Sequence, residues 1–221
     1  MRALNICASN PTWAVQDYVG YNNENSVAKN QLMDNIFSLA LAESLQKVNL
    51  QVEFVSNPHN VPSTGKAIRA AYELCVNDGK PMPIYTGGQY QLYWFKRTNL
   101  MYRVLHDYDH AVHYPLGLGT TKLKDEKYLN GLMMWRVLCL PVSDDYKFVD
   151  LLDCAHALYY DLISTQQYYA AHGEFVLKQY DFVQERMQNY LNKCVSVESK
   201  LASIKRMLTE CGLDFNYVGN L

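Results

Sequence analysis

The sequence lacks the marks of several large classes of protein. Its 221 residues contain no run of about eighteen apolar residues, as a transmembrane helix needs, and no charged-then-apolar signal segment at the N-terminus. No run of five or more basic residues occurs, and the formal net charge is −2. Because general binding to nucleic acid depends on clustered positive charge, we do not expect it here. We expect a soluble, cytoplasmic protein that does not associate with membranes.

The cysteines do not form a framework. The chain has 6 of them, spread from Cys7 to Cys211, and no two form a CxxC pair. This spacing argues against a Cys-based zinc module and against a disulfide scaffold, so we expect buried thiols in a reducing compartment. Tyrosine is instead abundant, with 18 residues. Because tyrosine joins an apolar ring to a polar tip, it suits helix edges, half-wet pockets and partner surfaces.

Hydrophobic periodicity predicts a mainly α, bundle-like single domain over residues 1–221, with a few short N-terminal strands. Leu50–Val55 alternates strictly, which is typical of a half-buried strand. Residues 1–8 and 81–85 are expected to be extended, and residues 12–25 to form a loop. Within the domain we distinguish an N-terminal α/β subregion (1–80), a helical core (81–190) and a C-terminal helical segment (195–221). Helices are expected at about 27–48, 64–77, 89–114, 125–140, 146–171, 175–190 and 197–211.

The helix predicted to end near Tyr114 carries a cluster of ionisable side chains. His106, Asp109, His110 and His113 recur at i, i+3, i+4 and i+7, so they share one face. Imidazole and carboxylate groups at one-turn spacing can present two or three ligands to a single divalent metal ion. The sequence therefore predicts a metal site with His106 and His110 as first ligands and His113 in reserve. Asp109 is either a ligand or a group that orients an imidazole.

A metal centre needs at least a third ligand, and two other helices offer candidates. Glu126, at the start of the next predicted helix, can supply a carboxylate. A second polar stripe recurs at i, i+3, i+7 and i+14 on the helix predicted over 146–171, and it consists of Asp153, His156, Tyr160 and Gln167. A bundle that brought the two faces together would build a polar pocket between helices. His156 is then a reserve ligand, and Tyr160 or Gln167 is predicted to hydrogen-bond the substrate or a bound water.

His106 is followed directly by Asp107, and the pair resembles the His-Asp doublet of the metal-dependent HD phosphohydrolases. In that family a further His lies upstream and a last Asp lies downstream, and His59 and Asp153 stand in that order here. The resemblance implies a metal-dependent phosphohydrolase. Asp107 itself lies off the cluster face and is predicted to orient a ligating imidazole.

The segment Gly117–Lys122 (GLGTTK) follows the cluster. Its composition is that of a phosphate loop, but it has neither the P-loop spacing nor a preceding strand, so we interpret it as a turn. Lys122 is close to the cluster in sequence and is predicted to neutralise an anionic substrate.

A longer pattern resembles uncharacterised proteins of tailed bacteriophages over residues 81–186. Those proteins have a helix of the form YRxxHDxxH, an acidic residue after a glycine-bearing loop, and a helix with QxYY, HGxF and later Gln and Phe. The matching positions here are Tyr102, Arg103, His106, Asp107, His110, Glu126, Gln166 or Gln167, Tyr168, Tyr169, His172 to Phe175, Gln179 and Phe182. The resemblance implies a phage origin. It singles out as one set His106, Asp107, His110, Glu126 and Gln167.

We therefore predict a phage-encoded, metal-dependent hydrolase of the host cytoplasm, acting on a phosphorylated small molecule or nucleotide. Its cofactor would be a divalent ion such as Zn, Mn, Fe or Ni. The alternative is a non-enzymatic phage protein, a binder of a host protein or a virion component, whose cluster is structural. A third possibility is a structural zinc ion that links two helices and takes no part in catalysis. An open coordination position favours catalysis, whereas a closed and fully hydrogen-bonded cluster favours a structural role.

Overall fold

A computed structural model describes residues 4–6, 31–87 and 92–215, the first range by its backbone alone. Most of these residues are helical, so the predicted mainly α fold class is confirmed. Short 3-10 turns lie at Pro58–Asn60 and Tyr114–Leu116, and a π-helix lies at Tyr159–Ser164. The predicted loop at 12–25 falls outside the described residues. We number the α-helices α1 (Gln31–Leu45), α2 (Gly65–Asp78), α3 (Lys96–His113), α4 (Leu123–Leu138), α5 (Phe148–Leu158), α6 (Thr165–His172), α7 (Gln179–Lys193) and α8 (Val197–Glu210).

The strands of the described ranges form one small sheet. They are β1 (Leu4–Ile6), β2 (Leu50–Val55) and β3 (Met82–Tyr85), in that spatial order. β1 pairs antiparallel with β2, and β2 pairs parallel with β3, so that Val52 lies opposite Leu4 on one side and Met82 on the other. The alternation in β2 buries its apolar side chains, as the sequence predicts.

The chain forms two compact units. The sheet unit contains the described residues 4–6, 38–87 and 94–121, and the helical unit contains 31–37, 92–93 and 122–215. In the sheet unit, α2 joins β2 to β3, because parallel strands cannot be connected by a tight turn. The side chain of Thr64 accepts a hydrogen bond from the Ala67 amide at the start of α2, and Gly79 ends the helix in the left-handed conformation. α3 packs against α2.

In the helical unit, α4, α7 and α8 pack against α5. Nearly every side chain of α5 from Leu151 to Leu158 is buried, which makes it the central helix of this unit. The sequence predicts one α-helix over 146–171, whereas the structure places the π-helix between α5 and α6. A π-helix usually occurs as a single turn within an α-helix, so a prediction of one helix over the whole stretch does not distinguish it.

Two helices begin later than predicted. α3 starts at Lys96 rather than near residue 89, after Phe95 in an extended conformation. α7 starts at Gln179 rather than Phe175, because Gly173 ends α6 in the left-handed conformation and the segment that follows is exposed. Within the described ranges, none of the helices is both long and apolar enough to cross a membrane.

Hydrogen bonds to Asp153 link three helices of the helical unit. Its carboxylate, on α5, accepts hydrogen bonds from Lys200 Nζ on α8 at 2.6 and 2.7 Å. It also accepts one from the Tyr190 hydroxyl on α7 at 2.8 Å. Because Lys200 is only 8% exposed, pairing rather than water stabilises these charges.

Replacing Lys200 by methionine should lower the free energy of unfolding by about 2 kcal/mol, because the Asp153 carboxylate then loses its cationic partner. Methionine retains most of the apolar part of the side chain, so lost packing contributes little. Urea denaturation followed by circular dichroism measures the effect. The control is Lys66→Met at an exposed position of α2, which should change the free energy by less than about 0.5 kcal/mol. Equal effects of the two substitutions would show that the ion pair does not stabilise the fold.

Candidate metal centre

α3 presents the predicted cluster at the edge of the core of the sheet unit. Five apolar side chains of this helix are buried, namely Leu100, Met101, Val104, Leu105 and Ala111. His110 and Asp109 are also buried, at 2% and 1% exposure, whereas His106 and His113 are half-buried. Polar groups in such surroundings need partners, because an unsatisfied buried polar group costs free energy.

The imidazoles of His106 and His110 approach each other closely. Their Nε2 atoms lie 3.2 Å apart, and the rings are nearly perpendicular, at 78°. The Tyr102 ring, one turn earlier on α3, stacks on the His106 ring with centroids 5.2 Å apart, which restricts its rotation. Two nitrogens bound to one tetrahedral zinc ion at about 2.0–2.1 Å lie roughly 3.3 Å apart. The pair is therefore spaced as two ligands of a single ion would be.

The backbone carbonyl of Gly119 determines which nitrogen of His110 carries a hydrogen. His110 Nδ1 lies 3.1 Å from this oxygen. Because a carbonyl oxygen only accepts hydrogen bonds, Nδ1 donates, and in the neutral imidazole Nε2 then keeps its lone pair. An imidazole in this form binds a metal ion through Nε2. The lone pair on His110 Nε2 thus lies on the side of the ring that approaches His106 Nε2.

Glu126 belongs to the same group. It lies half-buried in the first turn of α4. His106, His110 and Glu126 each offer one ligand atom, and these atoms all lie within 4.8 Å of one another. Two imidazole nitrogens and a carboxylate oxygen are a ligand set used for zinc and other divalent transition ions. The structure thus brings together three of the predicted residues in a group that can hold a metal ion.

The other predicted residues near the cluster have different surroundings. The Nδ1 atom of His113 donates to the backbone carbonyl of Asp109, at 2.9 Å, within the same helix. Burial lowers the pKa of the Arg103 guanidinium, and the nearby carboxylate of Asp107 acts in the opposite direction. Lys122 is exposed just before α4. Among the described residues, the metal-capable group contains His106, His110 and Glu126. It does not include the predicted residues His113, Asp109, Asp107 and Lys122.

Tyr160 and Gln167 lie in the helical unit and contact a neighbouring tyrosine. The ring of Tyr160 packs edge-on against that of Tyr159, with centroids 5.8 Å apart. Gln167 hydrogen-bonds the Tyr159 side chain, whose hydroxyl donates to Glu210 at 2.6 Å. Burial, followed by the bond to Glu210, raises the pKa of Tyr159. A role for Tyr160 or Gln167 toward a substrate stays a prediction.

The two outer positions of the His-Asp resemblance also have defined surroundings. His59 is exposed in the 3-10 turn Pro58–Asn60, where its amide donates to the Asn57 side chain. Asp153 is paired with Lys200 and Tyr190. Each residue therefore has a local structural role, and the resemblance stays a prediction.

Two residues that position the histidine pair were not predicted as such. Tyr102 precedes His106 by four positions, and this helical spacing is a signal that places both on one face. Gly119 lies in the segment that we interpreted as a turn. Nothing in the local sequence indicates that its carbonyl reaches His110, because this contact depends on how the loop folds back on α3.

Comparison with known proteins finds no match among protein-family models, curated proteins or solved structures. The resemblances to HD phosphohydrolases and to phage proteins therefore stay predictions. The chemistry of the site is therefore inferred from the side chains of His106, His110 and Glu126.

His156, a predicted reserve ligand, is fully buried in the helical unit. Its Nδ1 donates to the Leu152 carbonyl at 2.8 Å, and its ring stacks on Tyr190 with centroids 3.7 Å apart. Burial lowers the pKa of this imidazole from its ordinary value of 6.5 to about 4. His156 is therefore neutral in the folded protein at neutral pH.

This pKa predicts how stability depends on pH. Between pH 6.5 and about 4 the unfolded chain binds a proton that the folded protein does not, so stability falls as the pH falls through this window. The loss amounts to roughly 3 kcal/mol. In His156→Phe, which keeps a ring against Tyr190, the decline between about pH 7 and pH 4.5 should be smaller. Urea denaturation at a series of pH values measures both curves, and parallel curves would contradict the role of His156.

Proposed function

We propose that His106, His110 and Glu126 bind one divalent metal ion and that the protein is a metal-dependent hydrolase of a phosphorylated small molecule or nucleotide. The observation that carries this proposal is the convergence of two imidazole nitrogens and one carboxylate oxygen within 4.8 Å. Other histidines on the described helices, His113 and His172 among them, donate from Nδ1 to a carbonyl of their own helix one turn earlier. The Nε2 atoms of His106 and His110 instead approach each other to 3.2 Å.

The ligand set favours a transition metal ion over magnesium or calcium. Mg²⁺ and Ca²⁺ prefer oxygen ligands alone, whereas imidazole suits Zn, Fe and Ni, and a carboxylate also suits Mn. Zinc binds imidazole and carboxylate together in four-coordinate sites. Zinc is therefore the first ion to test.

Three protein ligands are typical of a catalytic zinc site rather than a structural one, because structural zinc is usually held by four. The free position can take water, and the ion would lower the pKa of that water toward neutrality and polarise a phosphoryl oxygen. The protein's part is to keep the ligands in place. Tyr102 does this for His106 by stacking, and Gly119 does it for His110 by hydrogen bonding.

The charge of the centre favours an anionic substrate. A divalent ion with two neutral imidazoles and one carboxylate keeps a net positive charge, which attracts a phosphate group. Lys122 lies one helical turn before Glu126 in the sequence and is exposed, so it can add a second positive charge. With the resemblance to phage proteins, this supports a phage enzyme that acts on phosphorylated metabolites in the host cytoplasm.

Elemental mass spectrometry of the untagged protein should find about one transition metal ion per chain. His110→Ala and Glu126→Gln should lose most of this metal, because each removes one of three ligands. His113→Ala is the matched control on the same helix and should keep the metal, because its imidazole donates to the Asp109 carbonyl. Unchanged metal content in His110→Ala would rule out this ligand set, and loss of metal in His113→Ala would make His113 a ligand.

Protein reconstituted in turn with Zn, Mn, Fe and Ni should release phosphate from members of a panel of phosphomonoesters and nucleotides. Glu126→Gln should lower kcat/KM by at least about 100-fold, because the ion is no longer held. Removal of the metal with a chelator should abolish activity and leave the far-ultraviolet circular dichroism unchanged. A protein that unfolds on chelation would instead contain a structural zinc ion.

One observation favours a second candidate, a non-enzymatic protein that binds a host protein. The connection between α6 and α7 exposes Phe175 and Leu177, which are 64% and 89% accessible. The Phe175 ring stacks on that of Tyr169, with centroids 4.3 Å apart. Neighbouring exposed apolar side chains are typical of surfaces that meet a partner. A wild-type protein without bound metal would make this second candidate the preferred one.

A further inference from the structure

Gly119 occupies a place where a larger residue does not fit. It is buried in the loop that follows the 3-10 turn Tyr114–Leu116. A Cβ atom added to it would overlap the carbonyl oxygen of His110 and the backbone nitrogen of Tyr114. The backbone of the loop therefore packs directly against the C-terminal end of α3. Glycine is the residue that permits so close an approach.

Gly65 packs closely against the backbone of the same loop. It is the first residue of α2 and is buried, and a Cβ atom on it would overlap the carbonyl oxygen of Gly119 and lie 2.9 Å from the Cα of Thr120. This carbonyl oxygen is the one that accepts the hydrogen bond from His110 Nδ1. By contrast, Gly79 has a positive φ of 65° and open space around it, so it serves a turn rather than a contact.

We propose that Gly119 and Gly65 are positioning residues of the metal centre, whose close backbone packing holds the acceptor that keeps the proton of His110 on Nδ1. This inference rests on the function proposed above. A neutral imidazole has two tautomers, and only the one protonated on Nδ1 can bind a metal ion through Nε2. Without a fixed acceptor, the proton can move to Nε2, and His110 is then lost as a ligand.

The two histidines consequently differ in how they meet a metal ion. Without metal, His110 Nε2 can only accept, so the hydrogen in the 3.2 Å contact belongs to His106 Nε2. When both Nε2 atoms bind an ion, His106 must carry its proton on Nδ1, whereas His110 needs no change. Gly119 thus fixes the tautomer of His110 before a metal ion binds, whereas His106 has to change its tautomer on binding.

Nuclear magnetic resonance of metal-free protein with ¹⁵N-labelled histidine reports the tautomer of each ring. His110 should be protonated on Nδ1 in the wild type and should become a mixture in Gly119→Ala, with a smaller change in Gly65→Ala. Zinc affinity, measured by competition with a chromophoric chelator, should fall by about 10–100-fold in Gly119→Ala. Gly79→Ala is the matched control in the same unit. It strains the end of α2 without touching the loop, so the tautomer and the zinc affinity should stay unchanged.

A wild-type His110 protonated on Nε2 would overturn the inference, and this measurement needs no variant that has to fold. A folded Gly119→Ala protein with the wild-type tautomer and zinc affinity would overturn it as well. If the wild type binds no zinc or other transition metal ion, the proposed function fails. The tautomers of the wild type and of Gly119→Ala then still support or overturn the positioning of His110 by themselves.

Discussion

The candidate site depends on the 3.2 Å approach of two imidazole nitrogens on one face of α3. Helical spacing brings His106 and His110 to neighbouring positions, but it does not point both Nε2 atoms at one another. Stacking on Tyr102 orients the His106 ring, and the hydrogen bond to Gly119 orients the His110 ring. In the metal-free protein the pair shares one hydrogen, and a metal ion would replace that single hydrogen bond by two coordination bonds. Two of the three ligands of the proposed metal site therefore already lie at the spacing that one ion requires.

Several polar residues that resemble site residues in the sequence contact other side chains of the helical unit. Asp153 is paired with Lys200 and Tyr190, and His156 is buried against Tyr190 as a neutral ring. The hydrogen bonds of Asp153 pair a carboxylate and an ammonium group beside the central helix α5, where an unpaired charge would be costly. A stripe of polar residues on a helix thus identifies a face that meets something polar. Whether that is a metal ion or another side chain depends on the facing helices.

Local rules were sufficient for much of the fold and for the histidine pair. Strict alternation in Leu50–Val55 predicts β2, and Gly79 suits the left-handed position that ends α2, because both are properties of neighbouring residues. The His106 and His110 spacing follows from helix geometry in the same way. The stacking of His156 on Tyr190 and the packing of Gly65 against the Gly119 carbonyl bring together residues distant in the chain. Periodicity contains no information about such contacts, so they could not be predicted.

The most direct test of the metal centre is X-ray absorption at the edge of the bound metal, in protein loaded with zinc. The first coordination shell should contain two imidazole nitrogens at about 2.0–2.1 Å together with oxygen ligands, from the carboxylate and from water. In the fraction of His110→Ala that still binds zinc when the ion is in excess, the scattering typical of imidazole should fall to that of a single ring. A shell of oxygens alone, or one unchanged in His110→Ala, would contradict the assignment of His106, His110 and Glu126 as the ligands.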